Sequence, residues 1–237
     1  MAGHNKWSQI KHKKAKEDAK RGKAFTKLIK EITVAARTGG GDPANNPRLR
    51  LLLDKGKSVN MPQDNALRAI KRGTGELPGV NYEEYLYEGF GPAGIAIIID
   101  TLSDNKNRTV AELRHLFSAG GGSLRENGAV SWMFEKLGII TLPSTMSEDE
   151  LLEQLLDYNI KDIRYVDSTF SILCDPKDIE PLKKKISVLN IPLEEAAIEW
   201  VAKTPVDLSD GQEDKALAFL QELQDHEDVQ HVYTNLG

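Results

Sequence analysis

The chain has 237 residues, 40% hydrophobic and 28% charged, with a mean hydropathy of −0.42 and no apolar run near the ~20 residues a bilayer-crossing helix needs. Its one cysteine, Cys174, excludes an intrachain disulfide and every multi-cysteine zinc or iron–sulfur site, while recurring Leu, Ile, Val and Phe exclude wholesale disorder. The net charge of −5 hides a division: residues 1–75 hold 18 Lys and Arg against 6 Asp and Glu, leaving 13 against 30 in residues 76–237, a split of +12 and −17. A local positive field attracts phosphate whatever the sign of the whole chain, so this asymmetry points to a polyanionic partner.

Residues 1–23 carry Lys6, Lys11, Lys13, Lys14, Lys16, Lys20, Arg21 and Lys23, with only Trp7 and Ile10 as apolar bulk. Such a segment buries too little surface to fold alone and is expected to be an arm. Its start, Met1-Ala2-Gly3-His4-Asn5-Lys6-Trp7, has no apolar stretch behind the basic residues, so no secretory signal is read and a cytoplasmic location is expected. From Ala24, Phe25, Leu28, Ile29, Ile32 and Ala36 fall on one helical face, and Gly39-Gly40-Gly41 ends that helix. Asn46 followed by Pro47 predicts an N-cap and first turn for a second helix carrying Leu49, Leu52 and Leu53. Asn60-Met61-Pro62 repeats the device for a third helix, which ends at Lys71-Arg72 with Gly73 as its cap. These three helices form a small bundle.

Beyond Gly75 the periodicity turns extended. Strands are predicted at Tyr82–Tyr87, Gly94–Thr101, Val130–Phe134, Gly138–Leu142, Asp162–Val166, Thr169–Cys174, Ala196–Val201 and Val229–Tyr233. Helices are predicted around Val110–Phe117 and at Ser147–Tyr158, Pro176–Leu189 and Gly211–Gln224. The last strand is expected to return to the sheet begun at Tyr82. The chain then divides into a basic arm and bundle at 1–75, an α+β domain at 76–135 plus 204–237, and an inserted α+β domain at 136–203.

No enzyme is legible. Gly89-Phe90-Gly91-Pro92-Ala93-Gly94 lies between two strands, whereas a dinucleotide loop must open a helix whose amides hold the pyrophosphate. The five histidines lack metal-ligand spacing, Cys174 has no neighbouring base, and acidic pairs such as Glu83-Glu84 arise by chance in an acidic body. Neither a cofactor, a metal nor a small-molecule substrate is expected.

The basic head remains. Lys and Arg on phosphates release condensed counterions, and Arg adds bidentate contacts to phosphate or guanine. The candidate nucleic-acid contacts are Lys6, Lys11, Lys13, Lys14, Lys20, Arg21 and Lys23 in the arm, with Arg48, Arg50, Lys71 and Arg72 secondary. Trp7 has two readings of equal weight, stacking on a base or anchoring the arm to the body.

Taken in order, Met1–Trp7, Asp18–Lys23, Phe25-Thr26-Lys27, Gly40–Pro43, Asn46–Arg50, Asn60-Met61-Pro62, Tyr87–Pro92, Ser103–Thr109 and Asp228–Tyr233 resemble the YebC/PmpR family over the whole chain. Mitochondrial members of that family are translational activators of cytochrome c oxidase. The resemblance implies an α+β multidomain fold: an N-terminal three-helix bundle followed by two ferredoxin-like α+β domains, the third inserted in the second. It also implies a DNA-binding transcriptional regulator. The alternative it leaves open is a ribosome-associated translation factor that binds ribosomal RNA. A third expectation is an adaptor whose acidic body binds a protein, with that body also able to compete with phosphate for the basic arm.

Overall fold

The computed structural model describes Trp7, residues 23–166 and residues 168–237. Helix α1 (Lys23–Gly39) buries the predicted stripe, Leu28 and Ile32 with Ala35, against Leu49 of α2 (Pro47–Ser58) and Ala69 of α3 (Gln63–Gly73). Asn46 caps α2 as expected, its Oδ1 accepting from the Leu49 N–H at 3.0 Å. Its Nδ2 donates to the carbonyls of Ala35 and Gly40, both at 2.8 Å, so one buried amide joins the end of α1 to the start of α2.

Two punctuation readings change. Asn60 does not cap α3; it takes a left-handed φ of 58°, and the residue before α3 is Pro62, which offers no side-chain acceptor. Gly73 does not supply a left-handed turn. A Cβ there would lie 2.3 Å from the Thr33 carbonyl oxygen, so this glycine permits the close crossing of α3 over α1, and Gly75 takes the positive φ of 84°.

The chain continues through β1 (Glu83–Phe90), β2 (Ala96–Ser103), α4 (Lys106–Ala119) and β3 (Ser123–Arg125). It then runs through β4 (Phe134–Pro143), α5 (Glu148–Gln154), β5 (Ile160–Val166), β6 (Thr169–Cys174), α6 (Ile179–Val188) and β7 (Glu195–Ala202). Helix α7 (Asp210–Asp225) and strand β8 (Val229–Thr234) follow. Two four-stranded antiparallel sheets result, ordered β3-β1-β2-β8 and β5-β6-β4-β7. The second is a βαββαβ unit in ferredoxin-like strand order. The first has the same layering of two helices on four strands, and its last helix and strand come after the whole second sheet in the chain. Among the described residues no helix is long and apolar enough to cross a membrane.

Helices α4 and α7 cover one face of the first sheet. Leu113 and Phe117 from α4 and Phe219, Leu220 and Leu223 from α7 pack on Ile95, Ile97, Ile99, Val229 and Val232. The Phe117 and Phe219 rings meet edge-on at 5.3 Å. The other face packs Ala96, Ile98 and Tyr233 against Val130, Phe134 and Trp200, which brings the second sheet alongside. In the second sheet, Ile140, Leu142, Phe170 and Ile172 are sealed by Leu151 of α5 and Ile179, Leu182 and Ile186 of α6.

Val130–Phe134 is not wholly extended: Ser131–Met133 forms a short 3-10 turn, and β4 begins at Phe134. The cause lies in β1. The Glu88 carboxylate, 1% exposed, accepts from the backbone N–H groups of Gly128 at 2.8 Å, Val130 at 2.7 Å and Ser131 at 2.9 Å, curling the segment around itself. Burial of Val130 and Phe134 in one core mimics strand alternation. Helix α5 also stops earlier than its periodicity suggests, at Gln154, although Ser147 and Glu150 form the complete capping box at its start.

Candidate nucleic-acid interface

The helical head sits on the acidic body, and its own cations hold it there. Lys27 Nζ donates to the Gln224 carbonyl at 2.5 Å, and Lys30 Nζ lies 3.5 Å from Asp228 Oδ1 with both side chains buried. Arg37 reaches Asn81 and the Tyr82 carbonyl, and Arg48 pairs with Glu84. Arg50 pairs with Glu180 at 3.1 Å and also donates to the Pro43 carbonyl at 2.6 Å. Lys55 reaches Glu195 at 3.4 Å, and Lys183 of the body reaches back to Asp54 at 3.0 Å.

Two acids organise the contact. Asp228 accepts from Arg108 Nη2 at 2.7 Å, Thr109 Oγ1 at 2.8 Å and Ser103 Oγ at 3.1 Å. Burial alone would raise its pKa, but these donors hold it below the ordinary carboxylate value. The segments Ser103–Thr109 and Asp228–Tyr233, far apart in sequence, thus form one structural cluster that also receives Lys30. Glu31 meets His231 Nε2 at 2.6 Å. Burial pushes Glu31 up, yet His231, with Lys55 and Arg48 behind it, holds it at about 2.

Glu31, Arg48, Lys55, Asp100 and Trp200 help to line a cavity of about 500 Å³ where the head and the two sheets meet. Asp100 is raised there, first by burial and then by Glu31 and Glu84 against the opposing pull of His231 and Lys136.

The remaining face of the head is different. Arg68, Lys71 and Arg72 of α3 are exposed and make no ion pair with the described residues, and Leu67, 47% exposed, lies among them. The sequence reading took Lys71 and Arg72 but missed Arg68. Its signal was available, because positions 64, 68, 71 and 72 share one side of an α-helix. Arg48 and Arg50, read from sequence as secondary phosphate contacts, have their guanidinium groups engaged with body carboxylates. Lys6, Lys11, Lys13, Lys14, Lys20 and Arg21 lie outside the described residues; Lys23 opens α1, but its side chain also lies outside them.

Trp7 is 2% exposed within the core under α4 and α7, and its Nε1–H donates to the Val232 carbonyl at 2.9 Å. Of the two readings, the burial of Trp7 in the body favours the anchor.

Other chemistry-bearing groups are committed to structure. Glu112, His226 and Asp228 have oxygens and ring nitrogens within 4.8 Å of one another, a spacing a metal ion could bridge. However, His226 Nδ1 accepts from the Asp228 N–H at 3.2 Å, which places its proton on Nε2, 3.0 Å from Glu112. Asp228 is meanwhile filled by Arg108, Thr109, Ser103 and Lys30, so this set is built as a hydrogen-bond network. Cys174 is buried, and burial, aided by Asp178 and Asp175, pushes its thiol up to about 11, far from a reactive thiolate.

A basic helical head docked on two antiparallel α+β layers defines a mixed α+β multidomain protein. Residues 5–76 match the TACO1/YebC protein N-terminal domain, and residues 82–236 match the TACO1/YebC second and third domain. The chain belongs to the TACO1/YebC family. It is 53% identical, over all of its length and 95% of the relative's, to a probable transcriptional regulatory protein of Chlorobaculum tepidum. Over 99% of its length and 96% of the relative's it is 52% identical to one of Desulfosudis oleivorans with the same description. The crystal structure of the conserved hypothetical protein Aq1575 from Aquifex aeolicus superposes with a TM-score of 0.84 at 40% identity, covering 93% of this chain and 91% of that one. The Chlorobaculum and Desulfosudis relatives are named as probable transcriptional regulatory proteins, not as enzymes, and these names support a regulatory role.

Proposed function

We propose that this chain is a non-enzymatic, DNA-binding transcriptional regulator that meets phosphate with the outward face of its basic head. The supporting observation is the sorting of the head's cations. Lys27, Lys30 and Arg37 of α1 and Arg48, Arg50 and Lys55 of α2 are engaged with the body, while Arg68, Lys71 and Arg72 of α3 stand exposed. Helix α3 supplies three cations and a half-exposed Leu67, the composition of a helix that lies along a duplex backbone or groove. The arm residues Lys6, Lys11, Lys13, Lys14, Lys20, Arg21 and Lys23 extend the phosphate footprint in this reading. Its domains are 1–75, 76–135 with 204–237, and the inserted 136–203; its place is the cytoplasm, where the nucleic acid lies.

The test is fluorescence anisotropy with duplex DNA across a salt series. Counterion release predicts that Arg68→Ala, Lys71→Ala and Arg72→Ala each reduce the log–log salt slope by about 1, whereas Arg48→Ala leaves it unchanged. Equal slopes for all four variants would refute the assignment. Offering purified ribosomes against excess duplex DNA then decides the target: retention on ribosomes replaces DNA with ribosomal RNA.

A further inference from the structure

Trp132 is 69% exposed, although the two other tryptophans are packed into the protein, Trp7 at 2% exposure and Trp200 against the first sheet. Its loop is firmly built. Buried Glu88 holds the N–H groups of Gly128, Val130 and Ser131, and the left-handed Gly128, at φ 93°, makes the turn. The indole Nε1–H donates within the loop to the Ala129 carbonyl at 3.1 Å, and Lys203 Nζ caps the Trp132 carbonyl at 2.8 Å. Folding does not require this exposure, because Val130 and Phe134 already fill the adjacent core at 0% and 3% exposure. The loop therefore displays an aromatic ring whose polar atom is satisfied, leaving its π-surface as the available recognition feature.

The charge around it selects an occupant. Lys203 and Arg125, whose Cα pairs with Glu88 across the β1–β3 ladder, are exposed and have no carboxylate partner among the described residues. Glu135, the acid on β4 near the loop, is occupied by Lys161, leaving Glu126 as the opposing charge on the loop. An indole beside an ammonium with no carboxylate partner among the described residues, with a second unpaired cation on β3 opposite the Glu88 that holds the loop, suits a base and its neighbouring phosphates better than an apolar protein face. Bases inside a duplex have their π-faces covered, so the occupant must be unpaired.

We propose that Trp132 is a stacking platform for an unpaired nucleobase, with Lys203 and Arg125 meeting the adjacent phosphates. The site deepens the nucleic-acid reading and rests on it. It lies on the body, so the head and the loop would engage duplex and single-stranded parts of one target.

The test uses the full chain and ten-nucleotide oligo(dT) and oligo(rU) probes, with tryptophan emission as readout. Trp7 is buried and Trp200 half-buried, so the component assigned to Trp132 is the part of the iodide-quenchable emission that is lost in Trp132→Phe. Stacking predicts that either oligonucleotide quenches this component. Trp132→Ala should bind at least about 5-fold more weakly, while Trp132→Phe, which keeps a ring, recovers most of the affinity. Unquenched emission, or Ala and Phe variants that both bind like the parent, overturns the proposal. So does an equal loss on duplex and single strand in Trp132→Ala, since a stacking site must discriminate between them. Duplex binding with its α3-dependent salt slope and a silent Trp132 would refute this site alone; absence of all nucleic-acid binding would refute the proposed function with it.

Discussion

Helices α2 and α3 are near twins in sequence composition and opposites in the structure. Each is short and carries basic residues: Arg48, Arg50 and Lys55 on one, beside a Lys57 that pairs with Asp54 of its own helix, and Arg68, Lys71 and Arg72 on the other. Yet the first set reaches Glu84, Glu180 and Glu195 of the body while the second faces solvent. The difference teaches that a basic segment in an otherwise acidic chain has two polyanions to choose from, and one is its own body. Charge counting finds the attraction; only tertiary placement assigns each cation to one or the other.

The sharpest way to break the comparison is to remove what fixes the head's orientation. Asp228 is the buried acid on which Lys30 of the head and Arg108, Thr109 and Ser103 of the body converge. Asp228→Ala leaves a buried ammonium and two hydroxyls without their acceptor, and removing one partner of a buried pair costs about 3–5 kcal/mol. Urea denaturation should show that loss. A change under about 1 kcal/mol would mean that Asp228 does not fix the head and that its other contacts with the body suffice.

The pH dependence separates the two faces next. Glu31 lies at about 2 in the folded protein against an ordinary 4.5, so its stabilisation is fully present above about 4.5 and is lost as pH falls toward 2. A displacement of that size corresponds to about 3 kcal/mol. Glu31→Gln should therefore be less stable at pH 5, and its deficit should shrink steadily as both proteins are titrated from pH 5 to pH 2.5. Parallel stability curves would contradict the linkage. Among the described residues no carboxylate of comparable burial pairs with Arg68, Lys71 or Arg72, so their substitution should leave this pH profile unmoved.

These contrasts also explain what was legible in the sequence. Helix α1 and the Asn46 cap are local matters, settled by spacing within a few residues, and they were read correctly. Gly73 and Val130–Phe134 depend on groups 40 or more residues away, the Thr33 carbonyl and the Glu88 carboxylate, and sequence periodicity carries no information about either. Strand β3 has only three residues, too few to show a period. At the interface the sign of the head was plain, but the commitment of Arg48 and Arg50 to the body was not, because their partners Glu84 and Glu180 are 36 and 130 residues distant. Trp7 was undecided for the same reason, its acceptor being 225 residues away.

The smallest effect gives the most specific contrast. Arg48 and Glu84 are each nearly half exposed, with side-chain accessibilities of 46% and 47%, so solvent screens the pair and its contribution to stability should lie within about 1 kcal/mol. Arg72 has no ion-pair partner among the described residues, and Arg72→Ala should change stability still less. The two substitutions are thus almost indistinguishable by denaturation. They diverge in binding: Arg72→Ala loses about one released counterion and flattens the salt slope, whereas Arg48→Ala leaves Glu84 unneutralised on the body and keeps the slope of the parent. If Arg48→Ala flattened the slope as much as Arg72→Ala, Arg48 would have to leave Glu84 for phosphate when nucleic acid binds. The head would then swing away from the body on binding, and the acidic surface beneath α2 would be a competitor for the ligand rather than a permanent seat.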